Sequence, residues 1–378
     1  MSITGIICEY NPFHLGHKKQ IDYLRAQGHH VVCLMSGNFV QRGHPAIFDK
    51  MSRARAAMEC GADLVLELPV QYALSSAEGF AAGGVEILSK ICDRLCFGAE
   101  TADETALIAA SRVLLTPEFS EKLRLHLDKG LSFPAARAAA LEEMGIDKTL
   151  VESPNNILAV EYCKAILAQN TALTPLPIHR EGSYHASAAD EENPSATSLR
   201  KLIQNQEKWA NYVPKAAFFQ QEDGLIHTLE NGEKAILARL RTMTDAEFEA
   251  LPYGSEGLWR KLMHASRKWG ALDGIITDTK SKRYTRTRID RMILCAFLGL
   301  TAENIASPAP YCRVLGFNDT GREILGKERE SGFFINIGTD TRHPYQEIER
   351  RCTSLYGLFA DRPESPTAEE NYRVYYKR

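Results

Sequence analysis

The sequence lacks any hydrophobic run long enough to cross a membrane: its longest, residues 292–300, is about half of the ~20 residues a spanning helix needs. The opening MSITGIICEY leads straight into a strand pattern, without the basic, apolar and small-residue zones of a signal peptide. A soluble, cytoplasmic protein without membrane contact is therefore expected. An excess of charge of one sign is also missing, since 45 Lys and Arg against 48 Asp and Glu leave −3. Any polyanionic partner must be held by a local basic patch. Paired cysteines are absent too: the nine are scattered singly apart from Cys92 and Cys96, which have no second Cys or His pair at zinc spacing. That argues against both a disulfide framework and a protein-borne metal motif, and for a reduced compartment. No internal repeat or low-complexity tract is present, and no obligate protein partner is evident.

What is present is length and alternation. At 378 residues and 44% hydrophobic, the chain suffices for two domains. Apolar runs at 5–9, 31–35, 63–68 and 94–97 alternate with helical spacing at 15–27 and 49–60 and an Ala-rich stretch before the fourth run. This pattern predicts an α/β fold with a parallel sheet covered by helices on both faces. Residues 101–150 read as a helical insertion, 156–167 as a further helix, 175–179 as a final strand and 198–203 as a helix start. After about residue 204 the alternation gives way to amphipathic helical patterns such as 235–243 and 258–268. The division expected is a first α/β domain over 1–204 and a second, mainly α-helical domain over 205–378.

Ligands of such sheets bind beyond the carboxyl ends of the strands, where the chain concentrates unusual chemistry. His14, Leu15, Gly16 and His17 follow the first strand and open the first helix. Backbone amides at a helix start favour an anion, Gly16 allows close approach, and the imidazoles of His14 and His17 can donate hydrogen bonds to phosphoryl oxygens in a transition state. A helix terminus contributes only roughly 0.3–1 kcal/mol to an anion, so cations must converge on the same loop; Arg180 and Arg200 are the candidates. Ser198 and Arg200, within SATSLR at a second helix start, suit further phosphates. The loop SGNFVQRG at 36–43 could shape a pocket for a small carboxylate, and FGAE at 97–100 places Gly98 at a strand end. A plain reading competes at each point, since helix caps and turns also use Ser, Gly and His.

Basic residues cluster once. Lys280, Lys282, Arg283, Arg286, Arg288 and Arg291 stand against the single acid Asp290, with Tyr284 interleaved as a stacking surface. The competing reading is a solvated helix face, because Ile289, Met292, Ile293 and Phe297 form an apolar stripe.

Taken in order, GIICEYNPFHLGH, SGNFVQRGHPA, GADLVLELP, FGAE, SPNNIL, SATSLR and KRYTRTRIDR span about three quarters of the chain. This series resembles the tRNA(Met) cytidine acetate ligase family, relatives of the HxGH nucleotidyltransferases with a Rossmann-like ATP-binding domain. The resemblance implies an enzyme that uses ATP to convert acetate to acetyl adenylate, then acetylates N4 of the wobble cytidine of elongator tRNA(Met), with Mg2+ accompanying the triphosphate. It maps the ATP site to Ile7, Cys8, Glu9, Tyr10, Asn11, Pro12 and Phe13, then His14, Leu15, Gly16 and His17, then Lys18, Lys19 and Gln20. Gly98, Asn155, Asn156 and Arg180 complete it. Lys282, Arg283, Arg286, Arg288 and Arg291 are the residues expected to meet tRNA. Leu15 departs from the family's usual Asn and Gln20 from its common His. Two alternatives remain open: a nucleotidyltransferase acting on a small phosphate ester, and an RNA-binding protein with a vestigial nucleotide pocket.

Overall fold

In the computed structural model, which describes residues 1–180, 194–222 and 225–378, ten strands occur. They are β1 (Ile3–Cys8), β2 (His30–Ser36), β3 (Phe39–Val40), β4 (His44–Pro45), β5 (Leu64–Leu68), β6 (Arg94–Ala99), β7 (Thr174–His179), β8 (Cys312–Phe317), β9 (Phe334–Asn336) and β10 (Tyr375–Tyr376). Alternate residues of one strand enter different cores: Val32 and Leu34 of β2 go to one apolar cluster, and Val31, Cys33 and Met35 to another. That is the period of two expected of a strand buried on both faces. The helices α1 (Leu15–Ala26) and α2 (Lys50–Glu59) supply Ile21, Leu24, Ala54, Ala57 and Met58 to the second cluster. The Ala77–Leu88 and Pro154–Ala168 helices cover the opposite face through Val85, Leu88, Val160 and Cys163.

The main sheet runs β10-β8-β5-β2-β1-β6-β7, with β9 beside β8. Pairing is parallel from β5 through β2, β1 and β6 to β7. The chain winds outward from β1 to β2 and β5, then returns to β6 on the other side of β1. This reversal opens a crevice beyond the carboxyl ends of β1 and β6, the place where such sheets take ligands.

The sheet does not end at β7. Strand β8 pairs antiparallel with β5, and β9 and β10 run parallel to β8, so residues 175–179 are not the final strand. The reason they were illegible is physical: β8 (CRVLGF) is a short, almost wholly buried run, which period alone cannot separate from a buried helix turn, while β9 and β10 span three and two residues. The rest of the second half is helical. Leu229–Thr242, Leu258–Lys268, Leu272–Thr279 and Arg286–Leu298 share one apolar core with Phe39, Tyr356 and Phe359.

A buried ionic network fastens the carboxyl-terminal segment to the sheet. Lys50 Nζ lies 3.2 Å from Glu67 and 2.9 Å from Glu369; Arg313 pairs with Glu67 at 2.8 Å, with Glu349 at 2.9 Å and also with Glu369. Burial works against ionisation of Glu369, but Lys50 and Arg313 outweigh it and hold the carboxyl down at about 2. Burial prevails at Glu349, pushing it up to about 7 against the pull of Arg313. Breaking such a pair strands the remaining charges, a loss of about 3–5 kcal/mol. Glu369→Ala should therefore lower the unfolding free energy by that amount, seen as a lower urea midpoint with an unchanged slope; a loss below about 1 kcal/mol would show that the network is not coupled to folding.

Candidate active site

The two histidines of the HLGH motif are held by the helix they open. His14 is the N-cap of α1, and its Nδ1 accepts the Gly16 N–H at 3.1 Å; His17 Nδ1 accepts the His14 N–H at 3.3 Å. Their rings stack with centroids 3.7 Å apart. A ring nitrogen that accepts carries no proton, so in each neutral imidazole the proton sits on Nε2. Helix capping, the plain reading of these histidines, is thus also what sets both rings as Nε2–H donors. His14 Nε2 is buried and has no hydrogen-bond partner among the described residues. A buried orphan donor costs about 1–3 kcal/mol, which a ligand oxygen would recover. Gly16 makes the arrangement possible: a Cβ there would stand 3.0 Å from His14 Cε1.

Both rings stay neutral. Burial pushes His14 down to about 3, helped by Arg180 and then Arg200, and burial, His14 and Arg180 lower His17. The charge of Arg180 reaches both rings and that of Arg200 reaches His14. Arg200 Nη1 donates to the Asn11 carbonyl at 2.7 Å and Arg180 Nη1 to Asn155 Oδ1 at 3.2 Å. The start of the Ala196–Gln204 helix adjoins that of α1, for a Cβ on Gly16 would lie 3.9 Å from the Pro194 carbonyl oxygen.

The loop between β1 and α1 is rigidly packed. Ile7 and Cys8 end β1, the thiol of Cys8 facing the Leu34 carbonyl at 3.7 Å. Tyr10 adopts φ 46°, a costly conformation for a tyrosine, and is retained by burial against Phe13 and His17 at 4.8 Å each. Asn11 Oδ1 accepts the Ile47 N–H at 2.7 Å, and Glu9 accepts the Gln41 N–H at 2.8 Å. Asn11–Pro12 is cis, and Phe13 is fully buried. Beyond the motif, Leu15 is half-buried, Lys18 pairs with Asp22, Lys19 is exposed, and Gln20 reaches Cys96 at 3.3 Å.

Across the crevice, Gly98 ends β6 beside Arg180, and Glu100 accepts hydrogen bonds from Ser153, Asn155 and the Asn156 backbone. Asn156 in turn accepts the Thr101 N–H at 2.9 Å. Ser198 is differently placed: its hydroxyl donates to the Ser195 carbonyl at 2.9 Å within the helix cap. The basic segment divides in two. Lys282, Arg283 and Arg286 are exposed, whereas Arg288 binds the Tyr253 carbonyl at 2.9 and 2.8 Å and buried Arg291 reaches the Gln41 carbonyl at 3.2 Å.

Two residues escaped the sequence reading. Arg53, wholly buried, donates to the carbonyls of Phe48, Glu9, Ser36 and Gly37; its only signal is an arginine on the Ala-rich buried side of α2. Glu100 was visible as the last letter of FGAE, but its partners lie more than fifty residues away.

Because capping fixes the tautomer and burial excludes the cation, 15N-detected imidazole spectra should show His14 and His17 as neutral Nε2–H forms from pH 8 to pH 5. Folded pKa values below the unfolded 6.5 mean that this stabilisation is complete above pH 6.5 and declines as pH falls toward the folded values. An imidazolium signal for His14 at pH 6 would overturn this assignment.

A family model described as HIGH nucleotidyl transferase matches residues 1–371. The chain is 36% identical to a tRNA(Met) cytidine acetate ligase of Clostridium acetobutylicum, over 95% of this chain and 96% of that protein. It is 36% identical to the protein of the same name from Halothermothrix orenii, over 94% and 91% of the two chains. The structure resembles Thermotoga maritima TmcAL in its apo form, with TM-score 0.89, 28% identity and 100% of both chains covered. It also resembles TmcAL bound with alpha-thio ATP, with TM-score 0.86, 28% identity and 100% and 99% covered.

Proposed function

Because this chain belongs to the HIGH nucleotidyl transferase family and, within it, groups with the tRNA(Met) cytidine acetate ligases, we propose that it acetylates N4 of the wobble cytidine of elongator tRNA(Met), using acetate and ATP. The observation that carries this reading is the His14–His17 pair: two neutral donors at a helix start, between Arg180 and Arg200, with His14 Nε2 buried and unpartnered among the described residues. Such a site suits phosphate oxygens.

Acetate is a poor acyl donor and the exocyclic amine of cytosine a poor nucleophile, so the carboxylate needs activation. An acetate oxygen attacks the α-phosphorus, the bond to the β-phosphate oxygen breaks, and pyrophosphate leaves with acetyl adenylate remaining. The N4 amine then attacks the acetyl carbon, AMP departs, and one amine proton is lost. The first step requires alignment and charge neutralisation rather than a protein nucleophile. His14 and His17 act as the donors to the phosphoryl oxygens, Arg180 and Arg200 balance charge, and the β1–α1 loop with Gly98, Asn155 and Asn156 surrounds the nucleotide. Magnesium would accompany the triphosphate, its charge offsetting that of the phosphate oxygens.

No described helix is long and apolar enough to cross a membrane, and the proposed substrate places the enzyme with tRNA in the cytoplasm, without need of a protein partner. Lys282, Arg283 and Arg286 form the accessible part of the basic segment and are the proposed contacts to the RNA backbone. Arg288 and Arg291 instead support the surrounding structure.

Labelled acetate should enter a bulk tRNA pool with ATP and wild-type protein, and not with His17→Ala. Acetate-independent pyrophosphate release driven by a phosphate ester would replace this reading with the nucleotidyltransferase alternative.

The basic segment has its own test. Arg283→Ala or Arg286→Ala should each reduce the slope of log affinity against log salt by about 0.7 for a single-stranded contact, while Arg288→Ala should leave it unchanged. Equal slopes for all three variants would remove this patch from the RNA surface.

A further inference from the structure

His44 and Asp290 are brought together by backbone packing between two distant segments. His44 opens β4, opposite Val40 of β3. Gly43 before it lies so close to the Arg286–Leu298 helix that an added Cβ would stand 2.6 Å from the Asp290 carbonyl carbon. His44 Nε2 then lies 3.8 Å from Asp290 Oδ2, and Arg286 Nε lies 3.6 Å from the same oxygen. The Asp290 side chain is 4% exposed, and its Oδ1 is buried with no hydrogen-bond partner among the described residues, whereas the His44 side chain is 39% exposed. An enclosed carboxylate thus backs an imidazole that a substrate can reach.

The pair stands between the two reactants that the proposed chemistry must join. On one side, the Ile47 N–H, three residues after His44, donates to Asn11 Oδ1 at 2.7 Å, and Arg200, which holds the Asn11 carbonyl, acts electrostatically on both His14 and His44. On the other side, Arg286 belongs to the exposed basic residues proposed to meet RNA. We propose that His44 is a catalytic residue of the transfer step, taking the proton that the cytosine N4 amine loses as it attacks the acetyl group, and that Asp290 is a positioning residue that orients the ring and balances the imidazolium. The inference rests on the acetate ligase reading above.

With Nε2–H toward Asp290, Nδ1 carries the accepting lone pair. The bond from N4 to the acetyl carbon forms, the bond from that carbon to the phosphate oxygen breaks, AMP leaves with the electron pair, and the proton passes to Nδ1 and then to water. His14 and His17 cannot accept it, because their Nδ1 atoms already take backbone N–H groups and their Nε2 atoms carry protons. Burial, then Arg200, Arg286 and Arg42, push His44 down to about 4, while burial pushes Asp290 up to about 6 against Arg286 and Arg291. At neutral pH the ring is therefore neutral and the carboxylate charged, the state in which the pair can accept a proton. A weak base suffices, because an amine nitrogen newly bonded to an acyl carbon sheds its proton readily.

The two half-reactions of the full-length enzyme separate this role from nucleotide binding. Acetate-dependent exchange of labelled pyrophosphate into ATP reads adenylate formation, and single-turnover acetylation of tRNA reads transfer. His44→Ala should keep exchange within about threefold of wild type and slow transfer about a hundredfold, with added imidazole restoring part of the loss. Asp290→Asn should slow transfer about tenfold and abolish the decline that wild-type transfer shows as pH falls through about 6. Unchanged transfer in His44→Ala would overturn the proposal, as would equal losses of exchange and transfer, or a loss accounted for by weaker tRNA binding. Absence of acetate-dependent exchange by the wild type would instead overturn the acetate ligase reading. Should thermal melts show His44→Ala unfolded, His44→Gln carries the same comparison, with exchange retained and transfer slowed.

Discussion

The crevice depends on a buried cation that has carbonyl oxygens, rather than a hydrogen-bonded carboxylate, around it. Arg53 directs its Nε to the Phe48 carbonyl at 2.9 Å and its terminal nitrogens to Glu9 at 2.6 Å, Ser36 at 3.0 Å and Gly37. Three of those acceptors, Glu9, Ser36 and Gly37, are where β1 and β2 stop, the positions at which a parallel sheet runs out of pairing and exposes unsatisfied backbone. One guanidinium satisfies them together and so sets the separation of the two strand ends. The loop carrying Asn11 and His14 leaves from one, and the loop carrying Gln41 and His44 from the other. Removing Arg53 would free four buried acceptors at once, a loss with no local route to repair.

Charge and direction are divided within that frame. Positive charge comes from Arg180, Arg200 and the helix start. Direction comes from two imidazoles kept neutral by burial and by those same arginines. Histidine is usually valued for its proton exchange, but here its worth lies in a donor whose tautomer is fixed by the helix it caps. The proposed reaction between two anions, a carboxylate and a triphosphate, would be better served by constant charge than by a group that changes with pH.

Legibility in the sequence followed locality. The α/β pattern, the HLGH helix start and the convergence of Arg180 and Arg200 were readable because each rests on period or on a motif at a strand end. What could not be read was set by contacts between distant segments. Arg53 has an unremarkable neighbourhood until β1 and β2 are paired, and Glu100 needs Asn155 brought beside it. Strand β8 is too short and too buried to reveal its period. The division of the basic segment was hidden for the same reason: Arg288 and Arg291 contribute to its composition, and the fold turns both to carbonyl oxygens of distant segments.

That inward turn changes what the helical half does. Gly43, at φ +83°, lies so close to the Arg286–Leu298 helix that a Cβ would stand 2.5 Å from the Arg291 nitrogen. Arg291 holds the Gln41 carbonyl, and Phe39 of the same loop is buried with Tyr356 and Phe359. The hairpin β3–β4 is therefore fastened to the helical core, while the Gln41 N–H also donates to Glu9, just past the end of β1. A helix that presents Arg286 to solvent at its start thus grips, one turn later, the loop bordering the crevice beyond β1. Displacement of this helix would carry the hairpin with it, because the Gly43 backbone packs directly on the helix backbone while the Arg291 side chain holds the Gln41 carbonyl.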